Sequence, residues 1–208
     1  IQQKLNFRKA NVFTKSFDRE NLAYSVHRVE DKNKRLIKLL KNTKGSSIVY
    51  TRTRKNTKDI AKYLVNEKIR ANFYHAGLDH QTRHTKQDQW MKGIFDVMVA
   101  TNAFGMGIDK SDVRLVVHMD TPNSLEAYFQ EAGRCGRDGE TSNAVLLYNK
   151  TDDHKSVENF KTSFPSIEKI KLVYDALANY FQLAIGSGKE THFDFDIQEF
   201  SDRSDLDL

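Results

Sequence analysis

Two arginines in a glycine-punctuated turn, Gly133-Arg134-Cys135-Gly136-Arg137-Asp138-Gly139, are the residues of this chain best suited to chemistry. Glycine removes side-chain bulk and permits positive φ, and a guanidinium grips phosphate through a rigid fork of donors. Such a turn can approach a polyphosphate closely, although a solvated basic loop has the same composition. A second cluster stands earlier. A short apolar segment, Asp96 to Ala100, ends in Thr101 and a glycine-broken turn, Gly105-Met106-Gly107-Ile108-Asp109. Both clusters fall within residues 95–139.

What is missing narrows the chemistry. No Gly-x-x-x-x-Gly-Lys-Ser/Thr occurs, and no Asp-Glu pair of the kind that holds magnesium at a strand end. Gly188-Lys189 only resembles the end of such a loop, since Leu183 stands where its first glycine would be and Glu190 where its hydroxyl would be. Gly105-Met106-Gly107 is not a dinucleotide fingerprint either, because Lys110 replaces the third glycine. The chain has residues suited to completing a nucleotide site but lacks the parts that cradle phosphates and metal. An arginine supplied from a neighbouring domain fits that gap by stabilising charge on a transferring phosphoryl group.

The elements that must position these residues alternate. Residues 31–43 place Leu36, Leu39 and Leu40 at helical spacing opposite lysines, and Gly45 closes that helix. Strands are expected at Ser47–Thr51, Ala71–His75, Phe95–Ala100, Leu115–His118 and Ala144–Tyr148. Helices are expected at Lys55–Glu67, Gln81–Met91 and Leu125–Ala132. Alternation of this kind argues for an α/β fold, a parallel sheet with helices on both faces. Ligands gather beyond the carboxyl ends of such strands. The loops after Tyr50, Tyr74, Ala100 and His118 begin there. Residues 1–30 read as an extended entry or linker with one short strand. Residues 151–161 and Pro165 to Ile185 read as helices, and Thr191–Phe200 alternates apolar and acidic residues as a half-exposed strand would.

Composition fits a soluble globular protein of 208 residues, 38% hydrophobic and 29% charged. No run of about 18 apolar residues occurs, so no membrane partner is expected. The start at Ile1 reads as that of a fragment. The single cysteine excludes an internal disulfide and any multi-cysteine zinc site within the chain. The net charge of +5 hides an asymmetry: residues 190–208 hold seven acidic residues and one arginine, leaving 32 basic and 21 acidic residues in 1–189. A basic body suits a polyanion, nucleic acid being the commonest, although lysine also simply solubilises a surface.

The stretch from Ser47 to Asp153 resembles the second motor lobe of a superfamily 2 helicase of the RecQ family. Five segments carry the resemblance: Ser16-Phe-Asp-Arg19, Ile48-Val-Tyr-Thr-Arg-Thr-Arg54, Tyr74-His-Ala-Gly-Leu78, Val99 to Lys110, and Gln130 to Gly139. RNA helicases of the DEAD-box type resemble it more weakly in the same places. The resemblance implies a RecA-like lobe over 31–150, preceded by a linker from a first lobe over 1–30. Residues 151–208 would then be a helical extension leading into a truncated winged-helix-like module. It implies ATP and Mg2+ held mainly by the first lobe, single-stranded DNA and duplex junctions as partners, 3′-to-5′ movement, and a cytoplasmic, nucleoid-associated location in a bacterium.

Residue by residue, Arg137 matches the family's arginine finger and Arg134 its partner toward the γ-phosphate. Gln130 opens that motif, while Gly107 and Asp109 match positions linking nucleotide to the motor interface. Thr101 would contact the DNA backbone, and Thr53, Arg54, His75, Gly77 and Arg83 fall where the lobe tracks a single strand. Plainer roles stay open. His75 could be a satisfied strand-end histidine, Arg83 an exposed helix residue, Thr101 a turn cap, and Cys135 a small filler. His118 and Tyr128 read as structural. Many RecQ enzymes follow the motor with a four-cysteine zinc platform, so a zinc-less variant is expected. The alternatives are a superfamily 2 RNA helicase lobe, distinguished by its preference for an RNA tail, and a non-catalytic nucleic-acid-binding module, which has no need of Arg137.

Overall fold

The computed structural model describes residues 4–5, 7–8, 12, 18–105, 108–184, 187–204 and 206. Ser16, Phe17 and Gly107 therefore lie outside the described residues.

Residues 1–152 form one compact unit and 153–208 another. The first is built on six parallel strands: β1 (Leu22–Arg28), β2 (Ser46–Tyr50), β3 (Ala71–Tyr74), β4 (Val97–Ala100), β5 (Val113–His118) and β6 (Ser142–Tyr148). Their order is β1-β6-β5-β2-β4-β3. The short strand expected within 1–30 is β1, an edge strand paired with β6 along its whole length, Leu22 with Ser142 to Arg28 with Tyr148. All of β2 and β4 is buried, as strands covered on both faces must be.

Four helices cover the sheet: α1 (Lys32–Lys41), α2 (Arg54–Asn66), α3 (His80–Met91) and α4 (Leu125–Ala132). Each begins on an N-cap whose side chain accepts a backbone N–H of the first turn: Asp31, Thr53, Asp79 and Ser124. Right-handed crossovers decide which face each helix covers. The chain moves one way along the sheet from β1 to β2 to β3 and the other way thereafter. Accordingly Leu36, Leu40, Ala61 and Leu64 of α1 and α2 pack with Val49, Val99 and Val117 on one face. Trp90 of α3 and Ala132 of α4 pack with Ile48, Tyr50, Met98 and Val116 on the other. The link from β4 to β5 has no helix among its described residues, and there Phe104 and Ile108 fill the second face.

α5 (Lys150–Ser163) crosses into the second unit, which also holds α6 (Ile167–Tyr180) and α7 (Ile197–Ser204). α6 stops short of the expected Ile185: Gln182 takes φ +52 just after the Phe181 cap. The strand expected over Thr191–Phe200 is not one. Residues 191–196 have no strand, and Asp196 accepts from the backbone N–H groups of Gln198 (2.7 Å) and Glu199 (3.2 Å), which starts α7. Of the apolar residues meant for a sheet face, Phe195 and Phe200 instead meet the Tyr180 ring edge-on at 6.3 and 5.5 Å, and Phe193 stacks on Phe181 at 4.6 Å. Among the described residues no neighbouring strand offers a ladder there, so local capping and aromatic packing decide the conformation.

Candidate nucleotide and nucleic-acid surfaces

The arginine turn follows α4, whose C-cap is Gly133. It does not sit at the carboxyl ends of the strands. The Gly136 N–H donates to the carbonyl of Val113, first residue of β5 (2.8 Å), which places the turn at the amino ends of β5 and β6. Gly136 has φ +56, and a Cβ there would lie 2.4 Å from the Ser142 hydroxyl oxygen and 2.7 Å from the Glu140 carbonyl oxygen, so only glycine fits. Cys135 is fully buried. Burial pushes its thiol up to about 12, which leaves it protonated and inert, as a small filler would be.

The two arginines point to different partners. Arg137 Nη1 donates to Asp109 Oδ1 at 2.8 Å, with the arginine side chain 35% and the aspartate 82% exposed. Arg134 donates through Nη1 to the Gly105 carbonyl, and its Nε is buried without a partner. Gly105 (φ +133) leaves room for that contact, since a Cβ would fall 2.1 Å from Arg134 Cζ. The Tyr50 hydroxyl donates to the Phe104 carbonyl (3.0 Å) and fixes the same turn from beneath. Burial raises the Tyr50 phenol well above its ordinary value, so it stays a donor. Gln130 is exposed on α4 one turn before Arg134. The fold thus unites Arg134, Arg137 and Asp109 along the link from β4 to β5. One exposed guanidinium held by one exposed carboxylate, beside a donor lacking an acceptor, fits an anionic phosphate group.

The other candidates cluster at the carboxyl ends of β2, β3 and β4. Thr53 accepts from the Asn56 N–H (3.1 Å) as N-cap of α2, and Arg54 opens that helix. The Arg54 guanidinium lies against Gly77: a Cβ on Gly77 would be 2.6 Å from its Nη1. His75 is only 4% exposed and stacks on Phe73, yet neither ring nitrogen has a partner. Desolvation first, then Lys58 and Arg54, lower its pKa, so the ring is neutral at pH 7. Lys86 stands over the Phe73 ring, 3.9 Å from its centroid. Arg83, half-buried in the first turn of α3, has a buried Nε without a partner. Thr101 is buried and its carbonyl accepts from the Phe104 N–H (3.0 Å), closing the turn after β4. His75 is thus not internally satisfied, and Arg83 is not simply exposed.

Gly77 gives a specific test. Its φ is ordinary, so alanine is tolerated by the backbone, but the methyl group must evict the Arg54 guanidinium. If this surface binds nucleic-acid phosphate, Gly77→Ala is expected to weaken single-strand binding about three- to tenfold, the worth of roughly one phosphate contact, and to flatten its salt dependence. Fluorescence anisotropy across a salt series measures both, and unchanged affinity would remove Arg54 from the binding surface.

The loops after Tyr50 and His118, both expected from the sequence to begin at carboxyl ends, meet in a cleft between β2 and β5, where α2 and α4 leave on opposite faces. Tyr50, Thr51, Asp120, Asn123 and Glu131 line it. Asp120 ties the two loops, accepting from the Thr51 hydroxyl (2.8 Å) and the Arg52 N–H (2.9 Å). His118, 1% exposed, bonds Glu131 through Nε2 at 2.8 Å and packs against Tyr128. That these two loops are neighbours, with no strand between them, follows from the strand order, which the sequence does not show.

Known proteins are similar in sequence and fold. The family described as helicase conserved C-terminal domain matches residues 31–139. The ATP-dependent DNA helicase RecQ of Bacillus subtilis is 42% identical over 153 residues, 73% of this chain and 26% of that protein. The RecQ-like DNA helicase BLM of Xenopus laevis is 41% identical over 157 residues, 73% of this chain and 12% of that protein. The chain belongs to the RecQ family of helicases, as its C-terminal domain. This RecQ-type lobe spans about a quarter of the bacterial RecQ relatives it matches, and less of the longer ones. Among solved structures, the Escherichia coli DEAD-box protein SrmB, bound to regulator of ribonuclease activity A, gives a TM-score of 0.60. It is 25% identical, over 72% of this chain and 89% of that one. Yeast Dbp5 bound to Gle1 gives 0.62 at 24% identity, over 80% and 44%, and shares the fold.

Proposed function

We propose that this lobe is the C-terminal half of an ATP-dependent 3′-to-5′ DNA helicase motor and supplies the arginine finger to ATP bound between two lobes. The observation that carries the reading is the exposed Arg137–Asp109 pair beside Arg134, whose buried Nε has no acceptor. ATP and its magnesium, held mainly by the other lobe, bring the transferable phosphoryl group. Arg137 exchanges the Asp109 carboxylate for γ-phosphate oxygens, at little cost because an exposed ion pair contributes at most about 1 kcal/mol. Arg134 keeps the turn at the right depth by holding the Gly105 carbonyl. Gln130, on the same helix, meets the nucleotide alongside them.

The single strand runs past the carboxyl ends of β2, β3 and β4, over Thr53, Arg54, His75, Gly77, Arg83 and Thr101. These groups bind backbone phosphate, which gives affinity without sequence preference. The segment from Thr101 to Asp109 joins the two surfaces. It starts at the strand end beside the DNA and finishes at the arginine turn, so a shift of one moves the other.

ATP hydrolysis with and without single-stranded DNA tests the reading. This chain alone is expected to bind DNA weakly, in a salt-sensitive way, and not to turn over ATP. Joined to its first lobe it is expected to hydrolyse ATP when DNA is added and to open duplexes bearing a 3′ DNA tail. Turnover by this chain alone, or a preference for RNA tails, would sink the proposal.

A further inference from the structure

The arginine turn is held from outside by a segment that lies 114 residues earlier in the chain. Arg19 donates through Nη1 to the Gly133 carbonyl (2.9 Å) and through Nη2 to the Gly136 carbonyl (2.5 Å). One planar guanidinium therefore spans from the C-cap of α4 to the middle of the turn and brackets Arg134. Asn21 adds Nδ2 donations to the Gly136 carbonyl (2.7 Å) and the Glu140 carbonyl (3.0 Å), and its own carbonyl accepts the Ser142 N–H (2.8 Å). From the other side, Arg114 grips Asp138 at 2.5 Å.

These contacts fall on carbonyls of a turn whose N–H groups at Gly133, Arg134, Cys135, Gly136 and Gly139 are already bonded to backbone. Gly133 and Gly136 have no side chains to lock the turn, and a Gly136 Cβ would displace the Asn21 amide (2.6 Å). Without the Arg19 fork, the part-buried Gly133 carbonyl loses its donor and the Gly136 carbonyl keeps only Asn21 and the Gly139 N–H, so the turn is held less tightly about its glycines. Arg137 lies one residue beyond the clamped carbonyl. Misplacing a charge-stabilising group by about 1 Å can cost a hundredfold in rate.

We propose that Arg19, assisted by Asn21, is a positioning residue for the arginine turn: it fixes Arg134 and Arg137 in register with the nucleotide without touching it. The inference rests on the function proposed above. It gives Arg19, which lies three residues before the edge strand β1, a role in catalysis that packing alone would not require.

The test uses Arg19→Gln, with Arg19→Lys as the milder variant that keeps charge and stem but cannot bracket two carbonyls. In the two-lobed protein, kcat for DNA-stimulated ATP hydrolysis is expected to fall between about tenfold and a hundredfold in R19Q, and less in R19K. KM for ATP and affinity for single-stranded DNA should stay within about twofold. Added to R137A, R19Q should cost far less than it does alone, because only Arg134 is then left for it to position. The sole cysteine supplies a second readout on the 208-residue chain. Cys135 is buried within the clamped turn, so its reaction with dithiobis-nitrobenzoate should quicken at least about tenfold in R19Q with circular dichroism unchanged. Unchanged kcat, an equal further loss in the R137A background, or an unchanged thiol rate would each overturn the positioning role. If R137A alone leaves ATPase intact, it is the finger assignment that fails, and the thiol rate still reports on the clamp.

Discussion

Arg137→Ala in the two-lobed protein is expected to lower kcat for ATP hydrolysis by about a hundredfold or more while leaving single-stranded DNA affinity within about twofold. The size follows from what the guanidinium is for. In the proposed role it meets charge that develops as the phosphoryl group leaves, so its loss would fall on kcat rather than on ground-state binding. The selectivity follows from where it stands. Arg137 lies at the amino ends of the strands, whereas Arg54, His75 and Gly77 lie at the carboxyl ends. The fold should tolerate the change, because Asp109, left without its partner, is 82% exposed and stays hydrated. Arg137→Lys separates charge from geometry. A lysine carries the charge but not the planar fork, so it should recover only part of the rate. Steady-state kinetics on the three proteins decide the matter: a kcat for R137A within a few-fold of wild type would leave a nucleic-acid-binding module as the better account.

How much of this was legible before any coordinates depends on which force set each feature. The sheet was legible because buried parallel strands read as short apolar runs. Ser47–Thr51 and Phe95–Ala100 were placed to within two residues as β2 and β4. Helix starts expected from apolar spacing, at residue 31, Lys55, Gln81 and Leu125, fall within one residue of the structure, where caps at Asp31, Thr53, Asp79 and Ser124 fix them. The arginine turn was legible as a motif, since glycine and arginine at that spacing suit phosphate. Its location was not: the rule that ligand loops gather at carboxyl ends describes Thr53, Arg54 and His75 but not Arg137. The link from β4 to β5 carries the site across one face of the sheet, and nothing local in the sequence sets its path. Arg19 and Asn21 were invisible as partners because a side chain that bonds a backbone carbonyl 114 residues away leaves no periodicity to read. The segment after Thr191 misled for the opposite reason. Its alternation is genuine, but a strand needs a neighbour, and Asp196 offered the backbone a helix cap instead.

Gly105→Ala is expected to damage both fold and activity, and the double variant with Arg134→Ala separates the two losses. At φ +133 the backbone occupies a region that side chains avoid, which costs roughly 1–3 kcal/mol for any non-glycine residue. The new methyl group would also sit 2.1 Å from Arg134 Cζ, where no rotamer of that arginine can remain on the Gly105 carbonyl. For a chain of this size the strain alone should lower Tm by roughly 2–10 °C. Eviction of Arg134 should bring kcat in the two-lobed protein down to about the level of Arg134→Ala. Adding Arg134→Ala to Gly105→Ala removes the clash but not the φ strain. Tm should then rise part of the way back, while kcat falls no further, since the same interaction cannot be lost twice. A thermal melt and a rate for each of the four proteins complete the cycle. Additive losses in kcat would mean that Gly105 and Arg134 act separately, and the coupling between the DNA-side turn and the arginine turn would have to run through another contact.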